Sequence, residues 1–107
     1  MKEIKRKYID WKKTGKRLLS LRNNNTPLRR YTCWLLKFDR GNCSGECKSC
    51  EYEMDPSISR NELAEVFTTT ESVIFNWENG KTPPALEDLL LYSEITGIPL
   101  EEIIVYD

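Results

Sequence analysis

Residues 59–80 place their apolar side chains with the period of two short helices separated by a tight turn. Ser59 and Glu62 stand three apart as a capping-box pair, and Leu63, Val66 and Phe67 then face inward. Thr70 caps the next helix, whose buried side is Val73, Ile74 and Trp77. Two helices of about eight residues around such a turn make a helix-turn-helix, although by period alone any helical hairpin fits.

Upstream, Trp11, Thr14, Leu18 and Leu21 recur at spacings of three, four and three, one face of an amphipathic helix that Asp10 caps. The run Asn23-Asn24-Asn25-Thr26-Pro27 stops it, and a second helix follows in which Leu28, Tyr31, Leu35 and Phe38 share a face. Cys33 rides on this second helix, Gly41 ends it, and a cysteine loop runs on to Asp55 and Pro56.

Of the 107 residues 39% are apolar, enough for one core and too few for a second domain of ordinary size. No apolar run exceeds the four residues of Leu89–Tyr92, so the chain has no bilayer-spanning segment and no signal-peptide core, and is expected in the cytoplasm. It is also too short for a large α/β barrel, which disfavours an enzyme. The charge is strongly polarised. Residues 1–40 hold 13 Lys and Arg against 3 Asp and Glu, and residues 41–107 hold 3 against 14. The basic half, led by a tail at residues 1–8, suggests contact with nucleic acid.

Cys33, Cys43, Cys47 and Cys50 fall within eighteen residues in a chain without histidine, so a metal site built from them is all thiolate. Disulfides persist in oxidising compartments, to which nothing directs this chain, and metal ligation is the better reading. Three local ligands and one remote suit zinc or a [4Fe-4S] cluster. Zinc is the default staple for a small fold; the cluster would make the same loop a redox sensor. The Cys43, Cys47, Cys50 triplet also resembles the cluster motif of radical SAM enzymes, which the chain length and the availability of Cys33 as a fourth ligand exclude.

Ser59, Glu62-Leu63-Ala64, Ile74, Trp77-Glu78-Asn79-Gly80-Lys81 and Pro84 together resemble the Cro and lambda-repressor type of helix-turn-helix, the XRE family of bacterial and phage regulators. The likeness extends to a fourth helix at residues 85–96 ending at Gly97, a fifth at 99–105, and a first helix around Gly15-Lys16-Arg17-Leu18. It implies an all-α, five-helix lambda-repressor-like DNA-binding domain over residues 1–107. Residues 26–57, carrying one helix and the four-cysteine metal loop, read as an insert between its first and second helices. Leu86, Leu89, Leu90, Ile95, Ile98, Leu100, Ile103 and Ile104 read as core, with a C-terminal apolar edge available for a homodimer.

What the resemblance implies is a sequence-specific transcriptional regulator whose second motif helix reads the major groove of double-stranded DNA. Arg60 matches a phosphate-contacting position. Thr70, Glu71, Ser72, Phe75 and Asn76 match the groove-facing set, and Asn79 and Lys81 match contacts beyond that helix. By chemistry Asn76 suits adenine, Glu71 cytosine and Phe75 a thymine methyl. The reading helix has two glutamates and no Lys or Arg, so phosphate neutralisation is assigned to the N-terminal tail and first helix, including Lys16 and Arg17. Thr68 stands at a turn position where glycine is frequent, and a left-handed backbone there is strained. The alternative is a metal-stapled interaction module, an antirepressor or recruitment factor, in which a degenerate helix-turn-helix no longer reads DNA and the insert binds a protein.

Overall fold

The computed structural model describes residues 3–38, 41 and 57–107. Among these the fold is all-α, with six helices: α1 Trp11–Asn24, α2 Thr26–Cys33, α3 Arg60–Val66, α4 Glu71–Glu78, α5 Leu86–Thr96 and α6 Leu100–Ile103. A π-helical segment, Trp34–Phe38, prolongs α2. Among the described residues no helix is long and apolar enough to cross a membrane.

Each boundary has a local chemical cause. The Asp10 carboxylate accepts from the Lys13 amide at 3.0 Å and starts α1. Asn25 serves two helices. Its amide donates to Leu21 O as α1 ends, and its side chain accepts from the Leu28 amide at 2.8 Å as α2 begins. The Ser59 and Glu62 capping box forms in both directions, at 3.1 Å each.

The core joins Leu18 and Leu21 of α1, Leu28 of α2, Leu63, Ala64 and Val66 of α3, and Ile74 and Trp77 of α4 to Leu89, Tyr92 and Ile103. At its centre the Phe67, Trp77 and Tyr92 rings stand 4.4–6.3 Å apart in tilted and edge-on pairs. Burial and the nearby Glu78 carboxylate push the Tyr92 phenol well above the usual tyrosine range.

Three sequence expectations change. Leu86 and Leu90 were assigned to the core but are 62% and 48% exposed, because α5 is apolar on several sides and the side that packs inward is that of Leu89, Tyr92 and Thr96, flanked by the partly buried Leu91 and Ile95. The buried line of the second helix runs through Leu28, Thr32 and Leu36, leaving Tyr31 and Leu35 only partly buried against the core. Leu28, Thr32 and Leu36 follow one another at the i, i+4 spacing of a helical row, and that row, not the one through Tyr31 and Leu35, faces the core. Finally, α2 packs against α1, α3 and α5, so residues 26–33, read as the start of the insert, share the common core.

One pairing was not anticipated. Residues before α1 run beside those after α6: Ile9 and Tyr106 form an antiparallel bridge, the Asp10 amide donates to Val105 O at 2.7 Å, and the Asp107 amide donates to Tyr8 O at 2.9 Å.

Candidate nucleic-acid interface

The turn between α3 and α4 sets the angle of α4. Beyond Phe67 the Thr69 amide donates to Ala64 O at 2.9 Å and the Thr68 amide to Glu65 O at 3.3 Å, the paired bonds of a Schellman ending. That ending needs a left-handed residue, and Thr68 takes it at φ +54°. A β-branched residue is strained there, as the sequence indicated. The Thr70 hydroxyl then accepts from the Val73 amide and α4 begins. At its far end the same pair of bonds, Gly80 N to Trp77 O and Lys81 N to Asn76 O, closes on Gly80 at φ +71°.

Behind α4 lies α1 at unusually short range. A Cβ on Gly15 would sit 2.6 Å from the carbonyl oxygens of both Trp77 and Glu78, and one on Gly80 would sit 2.8 Å from Lys12 Cα. Only glycine admits this approach. It seats α4 on α1 and brings Lys12 beside the turn that carries Lys81.

Glu78 completes the seat. Its carboxylate is 1% exposed and accepts from Arg22 Nε at 2.7 Å and Nη2 at 3.2 Å, and from Arg60 Nε at 2.8 Å. Arg22 also donates to Ile58 O at 2.8 Å, fastening the chain that enters α3 to the end of α1. One buried carboxylate thereby ties α1, α3 and α4 together. Sequence reading missed this network, although a signal existed: Glu78 lies four residues after the core residue Ile74, so it shares the inward side and requires cationic partners.

The electrostatic consequence is direct. Of the two glutamates on α4, Glu78 is withdrawn from the surface and neutralised, leaving Glu71 exposed. Two cations from outside the helix take up positions against it. Arg60, at the start of α3, lies 5.0 Å from the centre of the Phe75 ring, and Lys81 lies 5.4 Å from it. An α4 without Lys or Arg in its own sequence therefore presents a ring with two cations beside it.

Of the expected contact residues, Thr70, Glu71, Ser72, Phe75, Asn79 and Lys81 are exposed, and Asn76 and Arg60 are half-buried beside them. Glu71, Ser72, Phe75 and Asn79 occupy the outer side of α4, spaced as one helical face requires. The Asn79 amide nitrogen donates to Phe75 O at 2.8 Å, which holds it at the end of that face. Lys16 is exposed on α1. Arg17 is turned toward α6, where its guanidinium donates to Glu102 O. Cys33 is half-buried at the end of α2, and Cys43, Cys47 and Cys50 lie outside the described residues.

No curated protein and no solved structure matches the chain. Residues 57–103, which span the whole of α3, α4, α5 and α6, match the helix-turn-helix family model.

Proposed function

We propose that this protein is a sequence-specific DNA-binding transcriptional regulator that lays α4 in the major groove of duplex DNA. The observation that carries this reading is the outer side of α4: Glu71, Ser72 and Phe75 are displayed, with the half-buried Asn76 beside them, on a helix locked from behind by Gly15 and the Arg22–Glu78–Arg60 network. A rigidly seated helix with a polar outer face suits base-edge recognition, where position decides which donors and acceptors meet. The helix-turn-helix match over residues 57–103 supports the same conclusion.

Backbone affinity comes from Arg60 and Lys81 at the edges of α4, from Lys12, Lys13 and Lys16 on α1, and from the basic tail. Two copies bind as a homodimer, for which the exposed Leu86 and Leu90 offer an apolar surface. The four cysteines hold one metal centre, a zinc ion as a staple or a [4Fe-4S] cluster as a redox-sensitive one; four thiolates within eighteen residues and no histidine are the support.

Selection of bound duplexes from a random pool tests the central claim. A recovered consensus whose binding is lost on Asn76→Ala or Glu71→Ala is the expected result, and failure to enrich any sequence would refute it. Anaerobic purification with zinc and iron assays decides the metal. Sedimentation at tens of micromolar, about the concentration at which a weak dimer assembles, decides the oligomer.

A further inference from the structure

Phe75 is a large apolar side chain 39% exposed in the middle of an otherwise polar helix face. It is held there by arrangement. Arg60 is fixed through its Nε to the buried Glu78 and set over the ring at 5.0 Å, and Lys81 approaches at 5.4 Å from the turn after α4. The two cations come from separate elements, Arg60 from α3 and Lys81 from the turn after α4, and the ring beside them remains 39% exposed. Such a unit has two chemistries at one point, an apolar tip and two positive shoulders.

In the major groove the apolar group a protein meets is the methyl on C5 of a pyrimidine, and phosphates line the groove on both sides. The geometry points to Phe75, clasped by Arg60 and Lys81, as the specificity-determining residue that reads a pyrimidine 5-methyl group, with the two cations engaging the adjacent phosphates. This inference rests on the DNA-reading role proposed above. The methyl has two sources in duplex DNA, thymine and 5-methylcytosine, and the unit accepts both because it touches the group they share. Binding therefore responds to cytosine methylation wherever a C takes the place of that T.

The test uses the full chain and a duplex recovered by selection. Each dT is replaced in turn by dU, which removes the methyl and leaves the Watson–Crick edge intact. At the critical position a second pair of duplexes carries dC or 5-methyl-dC. The wild-type protein is expected to lose about fourfold in affinity at one dT per half-site, the worth of one buried methyl group, and to gain a similar factor from dC to 5-methyl-dC. Phe75→Ala is measured at low salt, where phosphate contacts hold the variant on DNA, and is expected to bind while ignoring both changes; Phe75→Leu keeps an apolar tip and retains part of the response. Equal affinity for every dU duplex, methyl sensitivity surviving in Phe75→Ala, or loss of all low-salt binding in that variant would overturn the inference. A protein that selects no duplex at all removes the regulator reading itself, an outcome distinct from these.

Discussion

Replacing Gly15 by alanine sets two effects of opposite sign against each other. In the middle of a free helix the change stabilises by about 1 kcal/mol, because alanine leaves the backbone fewer unfolded conformations and shields it from water. Here the added methyl would sit 2.6 Å from the Trp77 and Glu78 carbonyl oxygens, and both are backbone atoms that no rotamer change can move. To reach even 3.0 Å, α1 and α4 must separate by at least 0.4 Å, which loosens the Arg22 grip on Glu78 as well. Overpacking of this kind costs about 1–3 kcal/mol. The net expectation is a loss of up to about 2 kcal/mol, and with about 4–8 °C per kcal/mol for a domain near this size, a melting temperature lower by up to about 16 °C. Circular dichroism melts of Gly15→Ala beside Ser20→Ala, an exposed site in the same helix, isolate the clash from propensity. A Gly15→Ala protein that melts higher than wild type would refute the close-approach argument.

The remaining expectations are independent of that one. Glu78→Ala leaves two guanidinium groups without their counter-charge, one of them nearly buried, and costs about 3 kcal/mol in urea unfolding. Thr68→Gly relieves the left-handed strain and raises stability by about 1 kcal/mol, less the added entropy of the unfolded chain; unchanged stability would show that the threonine is unstrained. The raised Tyr92 phenol makes stability fully present below the unfolded-state value of about 10 and lost as pH climbs above it, by up to about 1.4 kcal/mol per pH unit. Phe at position 92 removes that part of the alkaline slope. DNA affinity falls at least tenfold between about 50 and 200 mM salt, and deletion of residues 1–8 flattens the slope; an identical slope in the shortened protein would show that the tail touches no phosphate.

Local chemistry was the legible part of the sequence. Asp10, Ser59 with Glu62, and Thr70 each act within a few residues of themselves, so spacing alone located the starts of α1, α3 and α4. The strain at Thr68 was legible for the same reason. What depends on partners distant in sequence was not. Arg22 and Glu78 are fifty-six positions apart, and their pairing appears only once α1 lies against α4. Leu86, Leu89, Leu90 and Leu91 follow one another so closely that periodicity cannot choose the inward side of α5, and the neighbours choose it instead. The Ile9–Tyr106 bridge is too brief to produce any alternation. In the candidate interface the exposed side of α4 was legible from period and resemblance, whereas the placing of Arg60 and Lys81 around Phe75 is a product of the tertiary fold.

Asn25 has a mechanical consequence. A joint one residue long, with its amide spent on the outgoing helix and its side chain on the incoming one, leaves no slack, and α1 and α2 behave as a single bent rod. A load applied near Cys33 on one arm is delivered to Gly15 and Arg22 on the other, the two points where α4 is held.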